Sequence, residues 1–481
     1  MKQLKFATQQ DCMKATKAIF YFFLIVSVFS VYIITNSGCA QIGSPTGGPK
    51  DTLAPVLVSA NPPLKNTNFT GNKITLNFNE YVNLDNIQNN LLIAPYPKTT
   101  PEINFKLRTV TIKLKDTLLE NTTYTINFGN AIKDVNEGNI LKDFSYIFST
   151  GNTIDSLELK GNVIVAETGK VDSTLLVLLY HNANDSSVKK RKPDYIARLS
   201  NQGAFTFHNL PSGTFSVYAL KDEDGSKTYN SPFEEIAFAD SDIIISPSVK
   251  PVTLYAFAEQ KEAKKQSSSS NNKSGKQKQN IKFRYIASVS QSSSQDVLSD
   301  LEVDFTKPVK NLDTQKILLT DTLFHPLNTV LTLDSTRKKV IIKNKWQLGQ
   351  DYYLIVNKDA ASDSADEQFS KTDTIRFKTK AEADYGSLLI RFSNIDTSLH
   401  PVLQLIQADT VYRSIPITSA QWSDKLFTPG EYELRILYDA NMNGKWDAGN
   451  YSTKLQPEKV VSLDKHLVIR PNWDNERDIK L

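Results

Sequence analysis

Lys73-Ile74-Thr75-Leu76-Asn77-Phe78-Asn79-Glu80-Tyr81-Val82 places Ile74, Leu76 and Phe78 on one side of an extended chain and Thr75, Asn77 and Asn79 on the other. Successive side chains of a strand point to opposite faces, so a period of two predicts a strand with one buried and one wet face. The same pattern extends outward. Val110, Ile112 and Leu114 alternate with Thr111 and Lys113, and Tyr124, Ile126 and Phe128 alternate ahead of a polar loop. Residues 144–150 close the unit. About a hundred residues of this kind are the size of a two-sheet sandwich. A hydrophobic fraction of 40%, rich in Tyr, Phe, Thr and Val, favours strands, and no sustained helical-period repeat occurs beyond residue 38. The expected fold class is all-β.

The quoted stretch also recurs. Ile74-x-Leu76-x-Phe78-x-x-x-Val82 returns as Leu301-x-Val303-x-Phe305-x-x-x-Val309. Tyr124-x-Ile126, Lys133-Asp134 and Phe148-x-Thr150 align without a gap to Tyr353-x-Ile355, Ser362-Asp363 and Phe377-x-Thr379. The region between has its own duplicate. Leu210-Pro211-Ser212-Gly213-Thr214-Phe215-x-Val217 leads to Asp222, and Thr428-Pro429-Gly430-Glu431-Tyr432-x-Leu434 leads to Asp439 at the same distance from the glycine. The chain is therefore expected to be a rod-like tandem of β-sandwiches, A-B-A′-B′. The boundaries are A at 53–151, B at 152–258, A′ at 281–382 and B′ at 383–481. Residues 259–280, rich in Ser, Lys and Gln, offer almost nothing to bury and read as a flexible linker.

Residues 19–34 are rich in Phe, Ile and Val, follow Lys14 and Lys17, and are short for a bilayer crossing of ~20 residues. They fit the apolar region of a secretory signal spanning 1–38. Ser37 and Gly38 then lead into Cys39, which resembles the lipobox of bacterial lipoproteins, with Asn36 where an aliphatic residue is usual. That resemblance implies acylation of the Cys39 thiol and a lipid-anchored mature chain. Residues 39–52, containing Gly47-Gly48-Pro49, read as a tether. The other cysteine, Cys12, lies upstream, and translation could start at Met1 or Met13. The mature chain would then be exported without disulfides, stabilised by its cores alone.

The A segments resemble bacterial Ig-like domains of the kind first described in S-layer proteins. The residues carrying this likeness are Pro62-Pro63, Phe78-Asn79-Glu80-Tyr81-Val82, Leu119 with Tyr124, Lys133-Asp134 and Phe148-Ser149-Thr150. It covers residues 53–151 and, more weakly, 282–379. The B segments resemble transthyretin-like or carboxypeptidase-regulatory-like sandwiches through Gly203-Ala204-Phe205-x-Phe207-x-x-Leu210-Pro211-x-Gly213 and the strand 217–222. As a whole, with Ser44-Pro45-Thr46-Gly47-Gly48-Pro49-Lys50-Asp51 soon after Cys39, the chain resembles Ig-like-domain lipoproteins of Bacteroidota. The likeness implies an outer-membrane lipoprotein with no established enzymatic activity. Cell-surface display is preferred over the periplasmic face, although residues 40–44 lack an acidic cluster.

The strongest chemical motif is Asp439-x-Asn441-x-Asn443-Gly444-Lys445-Trp446-Asp447. Oxygen-bearing side chains at positions 1, 3, 5 and 9, a Gly at 6 and the Lys445 carbonyl at 7 match the first part of a calcium loop. Asn450 stands where a bidentate Glu is usual, and no helices flank it. A structural calcium site and an Asx-rich turn bonded to its own backbone both fit. Asp222 and Asp224 occupy the equivalent loop of B, with Glu234 or Glu235 needed to complete a shell. The five histidines are scattered, and no nucleophile elbow, phosphate loop or zinc-protease helix occurs. Acid pairs such as Asp304 with Asp313 or Asp222 with Asp224 read as solvated loop residues. The basic run Lys189-Lys190-Arg191-Lys192 also reads as a solvated loop. Of the four tryptophans, Trp446 is the best candidate for a glycan platform, because burial inside a loop is difficult.

A net charge of +4 from 56 Lys plus Arg against 52 Asp plus Glu gives no cause to expect nucleic acid as a partner. The expected function is a non-enzymatic, lipid-anchored scaffold or interaction subunit, partnered by outer-membrane proteins or other envelope lipoproteins. The alternative is a surface glycan- or peptide-binding lipoprotein.

Overall fold

A computed structural model of the chain describes residues 8–35, 50–181, 186–261 and 282–480. Cys39 and its neighbours, and most of the expected linker, lie outside the described residues. Beyond the helix Thr8–Thr35 the regular elements of the described residues are strands, apart from a few one-turn helices. The chain is an all-β tandem of sandwiches.

In A, Lys73–Phe78 pairs with Leu57–Asn61 on one side and Thr109–Lys113 on the other, with Glu102–Lys106 at the edge. Leu92–Ala94, Thr123–Asn127 and Ser145–Ser149 form the facing sheet. The alternation read from the sequence is the packing: Ile74, Leu76, Phe78, Val110 and Ile112 meet Ile93, Tyr124, Ile126, Tyr146 and Phe148 in one core. Tyr124 stacks on Phe148 at 5.1 Å.

A′ repeats this arrangement. Leu301–Phe305 lies between Tyr285–Ala287 and Lys339–Lys343, and Asp351–Val356 lies between Asp373–Thr379 and Ile317–Thr320. The gapless alignment of the two copies is off by one residue here. Tyr352, not Tyr353, pairs with Phe377 as Tyr124 pairs with Phe148. The hydroxyl of Tyr124 accepts from the Leu119 N–H, and that of Tyr352 accepts from the Gln347 N–H. A one-residue slip exchanges the two faces of a strand. Accordingly Tyr352, Leu354 and Val356 are buried while Tyr353 and Ile355 are only half-buried.

B and B′ share a second topology. Leu157–Val165 pairs antiparallel with Ala204–Leu210 and parallel with Val252–Ala258; Gly386–Ser393 does the same with Gln421–Phe427 and Asp474–Lys480. Leu176–His181 lies between Tyr195–Arg198 and Gly213–Leu220, matched by Pro401–Gln407 between Thr410–Pro416 and Gly430–Tyr438.

The spatial order differs from the expected rod. A meets B where the Tyr96 N–H donates to the Asp194 carbonyl at 2.6 Å and Arg198 donates to the carbonyls of Asn89 and Asn90. A′ meets B′ where the Tyr385 hydroxyl donates to Asp296 at 2.7 Å and accepts from the Val297 N–H at 2.9 Å. B also packs directly on B′. The chain folds back, and the order in space is A, B, B′, A′.

Candidate functional site

Tyr438 ends a strand, and the chain must then turn sharply before Val460. Asp439, 2% exposed, holds that turn by accepting from the Asn443 N–H at 3.1 Å and the Gly444 N–H at 2.7 Å. The side-chain amides of Asn441 and Asn443 each donate to the same Asp447 oxygen at 2.6 Å. The Lys445 N–H donates to the Asn443 side chain. The motif residues do converge, as a turn bonded through its own Asx side chains.

A sixth participant escaped the spacing argument. Glu458 reaches back from the far end of the loop and accepts from the N–H groups of Ala440 and Asp447 at 2.8 and 3.1 Å. Burial, with the charges of Asp439 and Asp447 adding to it, pushes its carboxyl above the usual range. Among the described residues no group of three or more His, Cys, Asp or Glu side chains is arranged to hold a metal ion.

The equivalent loop of B has the same backbone. Left-handed residues fall three and five positions after the leading aspartate in both: Gly225 and Lys227 after Asp222, Met442 and Gly444 after Asp439. The filling differs. The Lys227 ammonium binds Asp222 directly, supplying a cation from the chain itself. The Asp224 carboxyl is drawn down to about 2, chiefly by the Asn230 amide and the Ser226 N–H, so it stays ionised and cannot serve as a general acid at neutral pH. Glu234 accepts from the N–H groups of Asn230 and Ser231 rather than joining a shell.

The segment after the Asp439 turn does something sequence reasoning missed. Tyr451 inserts into the core of B, within 5.5 to 6.2 Å of Tyr218, Tyr229 and Phe238. Its N–H donates to Glu259 at 2.6 Å, and the other Glu259 oxygen takes the Tyr229 hydroxyl at 2.8 Å. Lys189 lies 4.9 Å over the Tyr451 ring and Lys454 lies 4.4 Å from it. Gln456 donates to the Phe238 carbonyl and to Asp240. On the other flank Arg435 donates to the Glu167 carbonyl at 3.0 Å, and Lys170 pairs with Glu433 at 2.6 Å. Gly169, at φ +67°, lets the two backbones touch; a Cβ there would lie 2.6 Å from the Ser462 nitrogen.

Two sequence readings change accordingly. The basic run is exposed as expected at Lys189, Lys190 and Lys192, but it is also engaged: Lys189 lies over the Tyr451 ring, Arg191 pairs with Asp194 and lies 5.0 Å over Tyr180, and Lys192 lies 5.6 Å over Tyr96. Trp446 is no open platform. It packs against the B core, donates its indole N–H to the Glu458 carbonyl at 2.8 Å, and carries Lys261 at 5.7 Å over its ring. The exposed indole is Trp473, at 59%. Beside the interface a cleft of about 440 Å³ is lined by Asp240, Ser241, Thr253, Tyr255, Gln456 and Lys459 among others.

Residues 51–150 match the bacterial Ig-like domain family. No curated protein sequence matches the chain. Similar solved structures include the N-terminal part of the bacterial S-layer protein SbsC, at 15% identity and TM-score 0.15, covering 43% of this chain and 44% of that one. The Bacillus anthracis TIE protein is 12% identical at TM-score 0.15, covering 91% and 76%. BcpA, the major pilin subunit of Bacillus cereus, is 10% identical at TM-score 0.16, covering 67% and 99%. The chain thus spans less than half of the SbsC structure it matches.

Proposed function

We propose that this chain is a non-enzymatic lipoprotein, held to the outer membrane by acyl chains on Cys39, that serves as a scaffold or interaction subunit of an envelope assembly. The observation that supports this most is the direct packing of B on B′ through Tyr451, which joins the sandwiches into a continuous body rather than a loose string. A body of this kind presents fixed loops and sheet edges to partners. Outer-membrane proteins and other envelope lipoproteins are the partners it suits, with the cell surface the preferred side.

The helix Thr8–Thr35 fits removal or burial elsewhere: its large apolar side chains, such as Phe20 at 65% and Phe23 at 67%, are exposed and join none of the cores. Among the described residues no helix is long and apolar enough to cross a membrane. Replacing Cys39 with Ala is expected to move the protein from the membrane to the soluble fraction; unchanged fractionation would overturn the anchor. Purification of the native complex from detergent is expected to return stoichiometric envelope proteins.

A second reading, binding of a glycan or peptide, draws on the cleft beside the interface. Tyr255, Asp240, Thr253 and Gln456 offer an aromatic face with hydrogen-bonding groups, although Lys459 lies 4.7 Å over the Tyr255 ring. Loss of array binding on Tyr255→Ala would favour it.

A further inference from the structure

The corner of A from which the described fold begins is apolar where its copy is polar. Asp51 is held there by the Asn139 amide, which donates to its carbonyl at 3.1 Å. Around it stand Leu53 (73% exposed), Val56 (59%), Tyr81 (48%), Leu107 (62%) and Val135 (57%). Backbone bonds tie four of them into one patch. The Asn79 N–H donates to Val56, the Val135 N–H to Tyr81, and the Val82 N–H to Leu107.

A′ makes the same bonds with different residues. The Thr306 N–H donates to Arg284 and the Val309 N–H to Arg337. Val56 and Leu107 therefore correspond to Arg284 and Arg337, and the sequence alignment of Val82 with Val309 and of Asp134 with Asp363 sets Tyr81 and Val135 against Pro308 and Ser364; all four are exposed. The fold does not require apolar side chains here.

Leu107 makes the contrast sharpest. It and Arg337 tip equivalent hairpins at φ +55° and +56°. That left-handed conformation is costly for a side chain with a Cβ and suits Gly or Asn. In A′ the Arg337 guanidinium donates to the carbonyls of Val309 and Lys310, at 2.6 and 2.8 Å. Leu107 points a bare isobutyl group at solvent instead. Exposed apolar patches of this kind mark contact surfaces.

We infer that this corner of A seats on the lipid surface to which the chain is anchored, with Leu53, Val56, Tyr81, Leu107 and Val135 entering the headgroup region. The occupant follows from connectivity. Only eleven residues separate Cys39 from Asp51, so an acylated Cys39 keeps this corner within about 40 Å of the bilayer, while A′ joins the body through B′. Arg108, 5.3 Å over the Tyr81 ring, and Lys106 supply cations for lipid phosphates. Glu80, Asp51 and Glu137 lie nearby, so the contact is amphipathic rather than purely basic.

The inference rests on the proposed anchor, and one experiment separates the two. Mature Val135→Trp and Ser364→Trp proteins, extracted from native membranes, are reconstituted into liposomes with and without brominated phospholipid. Flotation of both with the liposomes reports the anchor; failure to float would sink the anchor and the docking that depends on it. With flotation intact, brominated lipid is expected to quench the added fluorescence of Val135→Trp at least twofold more than that of Ser364→Trp. Adding Leu107→Glu to the Val135→Trp protein should remove the excess without changing flotation. Equal quenching at the two positions, or crosslinking of the corner to a second copy in place of quenching, would overturn lipid docking.

Discussion

At the scale of single residues, two carboxylates show how similar chemistry serves different ends. Asp296 joins A′ to B′. Burial pushes its carboxyl up, but the Leu298 N–H, the Tyr385 hydroxyl and the Lys380 ammonium together hold it below the usual range. A depressed folded pKa means stability that is present above the unfolded value, about 3.9, and lost as pH falls through the folded value. Acid unfolding of Asp296→Ala should therefore be flatter below pH ~4 than that of the native chain. At neutral pH the variant should be less stable by about 1–3 kcal/mol, since the Leu298 N–H and Tyr385 hydroxyl lose an acceptor. Denaturant midpoints at pH 3 and pH 7 check both. Asp439 instead gives its oxygens to the N–H groups of Asn443 and Gly444. The melting temperature is accordingly expected to be the same in EDTA and in millimolar calcium. A rise following RT ln(1 + [L]/Kd) would establish a calcium site formed by turning the two Asn amides over.

At the scale of elements, the sandwich strands were legible because a half-buried strand must alternate, and Ile74, Leu76 and Phe78 do. The duplication was legible for the same reason. Its register in one strand was not. The turn between Val356 and Ala360 holds three residues where that between Phe128 and Ala131 holds two, and the Tyr352-Tyr353 doublet offers an identity match on either face. Nor could the B–B′ contact be read. Tyr451 sits in a loop with no local pattern, and its partners lie some two hundred residues upstream. Glu458 was missed likewise, being brought to Asp447 by the return of the chain. Tyr451→Ala removes a buried aromatic and should weaken the contact by about 3–5 kcal/mol. Small-angle scattering should then show a larger maximum dimension with each unit still folded by circular dichroism. An unchanged scattering profile would mean that the flanking bonds from Arg435 and Lys170 suffice.

At the scale of the whole molecule, contacts run from A to B, from B to B′ and from B′ to A′, so A and A′ are joined through the B pair and only A follows the tether in sequence. A chain of this kind can fix one end at a membrane while offering the other to a partner, which is what a scaffold subunit requires. The claim on which this depends is chemical modification of Cys39. The direct measurement is intact and peptide mass spectrometry of the mature N-terminus from native membranes. The account predicts a chain that begins at Cys39 and carries acyl groups; an unmodified Cys39, or a chain that retains residues 1–38, would contradict it.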